Sequence, residues 1–414
     1  MNLEVEIGEP RFPVRDESFA ALRCEPAVEA GRAAFAPLRR VLMVSALYKM
    51  PYRVMRCAVA TGAEVFVLGG PAARRLVYSR FCRRFVEAGV PIDGLGGEDL
   101  LDAINRQVEA LDVDCVLPGD APSTRSLIVL RDRIRARVFP SPDLETFDLL
   151  NDKARFQRYC ASAGVPTPRT WLFESTGSLR DAIAAGTLPA KTIAKPLSRS
   201  GGEGCVALEG QAEPRHLAEI DYAPIVVQEF VEGEDVCASV FCSKGNIIEF
   251  VAYQFGRDVY RTFAAPPIRR EIERLLRPLD VEGMFGFDMR RDREGRIYFV
   301  ECNPRVTFRI DLSMLAGVNF IALGTNGPPC DAISLADKRE RTVRGPKALL
   351  VALATPWRIE RESLRALRFT LADPVPYLRE ESIGAIQRLK ALRDKVGRAP
   401  LEEILASRHE GHTC

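Results

Sequence analysis

Along the N-terminal part of the chain, short apolar runs alternate with longer stretches of mixed polarity. Arg40–Ala46 (RVLMVSA), Glu64–Leu68 (EVFVL) and Cys115–Leu117 have the continuous apolar character of strands buried on both faces. Helical patterns lie between them: one near Pro51–Thr61, a basic one over Ala72–Ala88 and a third over Leu100–Leu111. Strand and helix in alternation predict a parallel α/β sheet. Residues 1–38, with Pro10, Pro13, Pro26 and Pro37, hold no firm period and read as an extended leader.

Past residue 150 the pattern changes to paired strands. Asn151 or Asp152 caps a helix over Lys153–Ala163 that stops at Gly164. Ile193–Pro196 and Cys205–Leu208 flank a glycine-rich loop, Ser198–Gly204. Ile225–Val231 is an apolar strand running into Glu232, Glu234 and Asp235, and Val236–Phe241 alternates into another. Lys244–Asn246 turns the chain into Ile247–Tyr253, and a helix spans about Pro267–Leu279. Met284–Arg290 and Arg296–Cys302 form a hairpin around the polar turn Arg291–Gly295. A helix after Ser313 reaches Leu323. Helices near Lys347–Ala354 and Ile383–Val396 predict a helical C-terminal region.

Composition narrows the class. A chain of 414 residues with 47% hydrophobic and 28% charged positions is an ordinary globular composition, long enough for two or three domains. A net charge of +2 offers no handle for a polyanionic partner, so nucleic acid is not expected. No run approaches the ~20 apolar residues that span a bilayer. The start, MNLEVEIGEP, lacks the basic and apolar regions of a signal peptide, and the 11 scattered cysteines contain no CxxC pair. The expectation is a cytoplasmic protein with reduced thiols. His409, His412 and Cys414 are metal-like residue types, but on a polar tail.

The hairpin carries the clearest chemistry. Asp288 lies on its first strand and Glu301 on its second, with Asn303 two residues later on the same face. Two carboxylates and an amide oxygen form a hard ligand set suited to Mg²⁺ with phosphate oxygens. Arg305 and Arg309 bring positive charge to the same edge. The Ser198–Gly204 loop offers backbone N–H groups unobstructed by side chains. It is no Walker loop, and no GxGxxG follows any early strand, which argues against a dinucleotide fold.

In this order these motifs resemble the ATP-grasp enzymes, over roughly residues 150–325. The resemblance implies ATP with Mg²⁺, Mn²⁺ being an alternative. It implies metal ligation by Asp288, Glu301 and Asn303, and a catalytic role for Arg305. It places Lys153, Lys195 and the loop residues Ser198, Ser200, Gly201, Gly202 and Gly204 on the phosphates. Gln228, Glu229, Phe230 and Val231 become the adenine hinge, with Glu234 or Asp235 on the ribose. The implied architecture joins α/β and α+β parts: an extension (1–38), a parallel α/β domain of the kind that precedes ATP-grasp domains (39–145), a two-subdomain ATP-grasp fold (146–330) and a helical C-terminal region (331–414). The implied reaction joins a small-molecule carboxylate to an amine through an acyl phosphate. A phosphotransferase and a non-catalytic ATP-binding module are the alternatives, and a homodimer is compatible. Arg290 departs from the pattern. Parity puts it on the metal face, where relatives carry an apolar residue, and it is expected to touch phosphate or substrate.

Overall fold

The computed structural model describes residues 39–197, 203–209, 214–256, 258–326, 340–345 and 361–379. The N-terminal apolar runs pair as their two-sided hydrophobicity requires. In chain order the elements are β1 (Arg40–Ser45), α1 (Lys49–Val59), β2 (Glu64–Gly69), a 3₁₀ helix (Pro71–Tyr78), β3 (Cys82–Glu87), α2 (Glu98–Leu111), β4 (Cys115–Pro118), α3 (Ala121–Leu130) and β5 (Arg137–Val138). The strands form a parallel sheet in the order β3-β2-β1-β4-β5. Strand order reverses between β1 and β4, and ligands of open α/β sheets bind beyond the carboxyl ends of strands at such a point.

The basic helix expected over Ala72–Ala88 is not formed. Its first half is the 3₁₀ helix and its second half is β3, an edge strand. The free side of β2 offers a ladder of backbone partners, which outweighs helical preference. Arg83 pairs with Glu64 and Arg74 with Glu87, so the basic run protects a sheet edge with charge.

Two helices cross to the next layer, α4 (Leu144–Asn151) and α5 (Lys153–Ser162), capped by Asp143 and Asp152. Then β6 (Thr170–Phe173), α6 (Thr176–Ala184), β7 (Lys191–Pro196), β8 (Val206–Glu209), α7 (Pro214–Ala218) and β9 (Ile225–Glu229) make a small antiparallel sheet ordered β6-β9-β7-β8. It has its own core, around Phe173, Leu179, Ala194, Ile225 and Val227.

The rest builds the largest sheet: β10 (Glu234–Ser243), β11 (Asn246–Gly256), β12 (Val259–Phe263), α8 (Pro266–Leu276), β13 (Gly283–Arg291), β14 (Ile297–Asn303), α9 (Ile310–Leu315), α10 (Phe320–Asn326), β15 (Arg341–Arg344) and α11 (Arg361–Leu371). Its order is β14-β13-β10-β11-β12-β15, antiparallel throughout. One face packs α5 and α8 through Phe156, Ile272, Leu275, Phe285 and Phe299. The other shares a continuous core with the N-terminal sheet, joining Met43, Val54 and Leu117 to Phe241, Tyr260, Ile310 and Phe320. The single helix expected after Ser313 is two short helices, α9 and α10, broken at Gly317 (φ +115°). The C-terminal part contributes an edge strand, β15, as well as α11. The leader over 1–38, the helices near 347–354 and 383–396 and the His409–Cys414 tail lie outside the described residues. Among the described residues no helix is long and apolar enough to cross a membrane.

Candidate active site

The hairpin β13–β14 brings the predicted acids together. Asp288 stands opposite Glu301 and Gly286 opposite Asn303, and a bulge at Val300 follows, since Met289 pairs with Phe299. The extra residue re-aims the strand where the carboxylates sit, a common use of bulges near active sites. Gln157, fully buried on α5, stabilises it by donating to the carbonyls of Phe299 (3.0 Å) and Val300 (2.9 Å). Gly286 has a steric reason: a Cβ there would lie 2.4 Å from Thr307 Cγ2. Asn303 Nδ2 donates to Asp288 Oδ2 (3.2 Å) and Glu301 Oε1 (3.4 Å). Its Oδ1 accepts from Arg305 Nη2 at 2.7 Å. Cys237, opposite Asp288 on β10, donates its thiol to Asp288 Oδ1 at 3.2 Å.

This crowding sets the charges. Burial, then the adjacent Glu301, pushes the Asp288 carboxyl up to about 7. Burial also acts upward on Glu301, but the Lys153 ammonium, the Asp288 hydrogen bond and Lys195 outweigh it and hold Glu301 below the usual range. Lys153 Nζ lies 3.6 Å from Glu301 Oε2. Lys195 is pulled down by burial, against the opposing pull of Glu301. Arg305 is 8% exposed, donates Nη1 to the Val306 carbonyl (3.2 Å), and leaves its buried Nε without a partner. An unpaired buried N–H is costly, and a ligand oxygen would relieve it.

The two predicted lysines converge from different elements. Lys153, in the first turn of α5 behind the Asp152 cap, reaches the Leu197 carbonyl at 3.4 Å. Lys195 on β7 donates to Gln228 Oε1 (2.7 Å), and Gln228 Nε2 donates to Thr170 Oγ1 (3.2 Å). Of the predicted loop, Ser198, Ser200, Gly201 and Gly202 lie outside the described residues, while Gly204 is a left-handed turn residue (φ +75°).

The hinge departs from expectation. Arg290 keeps the face that parity gives it, since Asp235 stands opposite it on β10 as Cys237 stands opposite Asp288, but its guanidinium turns to the hinge. Its Nε donates to Val231 O (3.0 Å), its Nη2 to Gly233 O (2.9 Å) and its Nη1 to Asp235 Oδ1 (2.6 Å), with the guanidinium 5.0 Å from the centre of the Phe230 ring. Opposite charge and open carbonyls drew the side chain along the strand to the hinge. Both candidate ribose acids are therefore paired, Asp235 with Arg290 and Glu234 with Arg291 and Gln254. Gly233 permits this close crossing: a Cβ there would fall 2.0 Å from the Arg291 carbonyl.

The acid pair opens into a cavity of about 1330 Å³ whose far wall is the N-terminal sheet's carboxyl edge. Leu47–Met50 after β1, Pro71 and Ala72 after β2, and Ala121–Pro122 after β4 line it, facing Asp288, Glu301, Asn303, Arg305 and Thr307–Arg309. Buried Asp120 shapes that wall. Its Oδ2 accepts from the backbone N–H of Ala46 (2.8 Å) and Leu47 (2.7 Å), and its Oδ1 caps α3 at Ser123 N (3.0 Å). Asp120, Gln157, Cys237 and Leu47 were not singled out from sequence. Asp120-x-x-Ser123 after an apolar run is a readable cap, and Gln157 sits four residues from Lys153 on one helix face. The other two carry no local signal.

Comparison with known proteins bears on the fold. The family model described as ATP-grasp domain matches residues 150–308. No curated protein matches the chain. Among solved structures, the chain is similar to the biotin carboxylase domain of Hydrogenobacter thermophilus 2-oxoglutarate carboxylase in complex with MgADP, ADP and bicarbonate. That match has 16% identity and TM-score 0.55, and covers 74% of each chain. It is similar to an N5-carboxyaminoimidazole ribonucleotide synthetase in complex with ADP, at 15% identity and TM-score 0.59, covering 78% of this chain and 86% of that one. It is also similar to the L-amino acid ligase from Bacillus licheniformis, at 16% identity and TM-score 0.53, covering 75% and 82%. At such identities the likeness is one of fold.

Proposed function

From the match of residues 150–308 to the ATP-grasp domain model and the site's geometry, we propose that the chain is an ATP-dependent ligase joining a carboxylate to an amine. The observation that carries the reading is the half-buried Asp288–Glu301 pair, flanked by Lys153, Lys195 and Arg305 and opening into a cavity walled by the N-terminal sheet. In the reaction a carboxylate oxygen attacks the γ-phosphorus of ATP, and ADP leaves. The amine nitrogen then attacks the acyl carbon, a C–N bond forms, and phosphate leaves as the nitrogen loses a proton.

The donor set fits Mg²⁺: two carboxylates on adjacent strands, one of them, Asp288, holding its proton to unusually high pH through burial and the adjacent Glu301. Asp288 and Glu301 would hold the ion, which supplies neutralisation of the triphosphate when bound. Asn303 now turns its Nδ2 to the acids, so ligation through Oδ1 requires the amide to rotate and Arg305 to release it. The planar fork of Arg305 can meet two oxygens at once, which suits it to the charge on the transferring group. Lys153 and Lys195 orient the phosphates. The backbone of Glu229–Val231 reads the base, with Arg290 beneath as a cationic surface. Catalysis is then positioning and electrostatics, with no side-chain nucleophile required.

The test is ADP release with a panel of carboxylates, using hydroxylamine to trap the acyl phosphate as a hydroxamate. Glu301→Gln should abolish release while leaving the melting temperature near that of the parent. A stable phosphorylated product that no amine consumes would replace the ligase with a phosphotransferase.

A further inference from the structure

We infer that the acceptor carboxylate carries an apolar body, of aromatic-ring or branched-chain size, held between Leu47 and Phe308, with its acid group drawn to Arg309. The inference rests on the ligase reading and goes on to name the acceptor's chemistry. Leu47 and Phe308 are large hydrophobic residues left 48% and 44% exposed, and both line the same cavity from opposite walls. Each is held in place. Leu47 is fixed at its N–H by Asp120 and at its carbonyl by Ser45 Oγ (2.7 Å). The Phe308 ring is covered by the Arg53 guanidinium 4.6 Å from its centre, and Arg53 is itself locked in a bidentate pair with Asp311 (2.7 and 2.9 Å). Fixed, exposed apolar side chains facing one cavity are what an apolar ligand requires, and such surface costs free energy while wet. Met50 extends the same wall.

The anion end is equally specific. Arg309 packs 4.0 Å from the centre of the Phe255 ring and has no carboxylate partner among the described residues. Together with the unpartnered Nε of Arg305 it leaves guanidinium N–H groups uncommitted beside Asp288 and Glu301. A multiply phosphorylated acceptor fits less well. On the N-terminal wall Arg125 is consumed by a bidentate pair with Asp148 (2.9 Å), Lys49 and Arg75 each have interactions of their own, and Asp93 and Glu203 add negative charge to the lining. One acid group and one apolar body match what the cavity leaves unsatisfied.

The experiment uses the full chain with ATP, Mg²⁺ and hydroxylamine, and acids in matched sizes: acetate, succinate, 3-phosphoglycerate, 4-methylpentanoate and 3-phenylpropanoate. In parallel, calorimetry titrates the same acids into protein holding MgADP. The expected result is half-saturation by the two apolar acids at concentrations at least about tenfold below the others, the scale set by a hydrophobic pocket. Leu47→Asp and Phe308→Ala should each cut that preference below about threefold while leaving ADP affinity unchanged. Preference for succinate or 3-phosphoglycerate, or a preference surviving both variants, overturns the inference and leaves the ligase reading standing. Calorimetric binding of 3-phenylpropanoate that both variants lose, with no hydroxamate from any acid, supports the apolar site and rejects the ligase reading. Neither binding nor hydroxamate rejects both.

Discussion

Two sheets flank the six-stranded one, and they are attached to it in opposite ways. The N-terminal sheet shares its hydrophobic core with it, Val54 and Leu117 lying in one apolar cluster with Tyr260 and Phe320. Polar bonds reinforce the seam: Arg53 to Asp311, Asn319 Nδ2 to the Cys57 carbonyl (2.9 Å), and Arg137 to the Thr325 carbonyl. Beyond α11, Asp373 accepts from Tyr52 Oη (3.1 Å), Ser79 Oγ and the Arg80 N–H (3.1 Å), and lies 3.9 Å from Arg56. The small four-stranded sheet keeps a core of its own, and the segment that leads from it to β10 is tied by polar contacts, among them Arg290 with the Val231 and Gly233 carbonyls. Buried apolar contact resists local opening, whereas exposed polar ties let a unit move. The acid-pair hairpin's sheet and the N-terminal sheet thus share one core, while the four-stranded sheet is held by fewer apolar contacts across sheets.

This contrast can be broken at its strongest point first. Arg56 and Asp373 are 4% and 2% exposed, so Asp373→Ala leaves a buried cation uncompensated. It should cost about 3–5 kcal/mol, seen as a large fall in denaturation midpoint. Next comes Arg305→Lys, which keeps the charge and loses the fork. The rate constant should fall by roughly 10²–10³ with little change in ATP affinity. A defect confined to ATP binding would make Arg305 a binding residue.

A smaller effect follows from Asp288. With its carboxyl at about 7, it holds a proton below that pH which a divalent cation must displace. Half-saturating Mg²⁺ should rise by up to about tenfold per pH unit below 7 and level off above. By the same raised value, the metal-free fold should lose stability as pH climbs from about 4 to 7, because the unfolded chain releases that proton first. Arg169→Ala, which removes the exposed pair to Glu229 (3.0 Å), should cost less than about 1 kcal/mol. Adding ATP and Mg²⁺ should slow hydrogen exchange in β6–β9 and leave β1, β2 and β4 unchanged. Equal protection of both sheets would erase the distinction.

Sequence by itself determined the elements that local chemistry specifies. The apolar runs of β1, β2 and β4, the Asp152 cap that starts α5 at Lys153, and the parity joining Glu301 to Asn303 all form as their residues direct. Each is fixed by neighbours a few positions away. What tertiary structure alone decided depends on partners far along the chain. The basic run after Pro71 became an edge strand because β2 had an open side. Arg290 kept the face that parity gives it but turned along the strand because the hinge carbonyls and Asp235 lay within reach. The bulge at Val300 is held by Gln157, 143 residues earlier. The cavity brings Leu47 and Phe308 together, and no periodicity reports which of many exposed apolar residues will face one another. Covalent spacing sets where a side chain points from its own strand, but only the packed sheets decide what stands across from it.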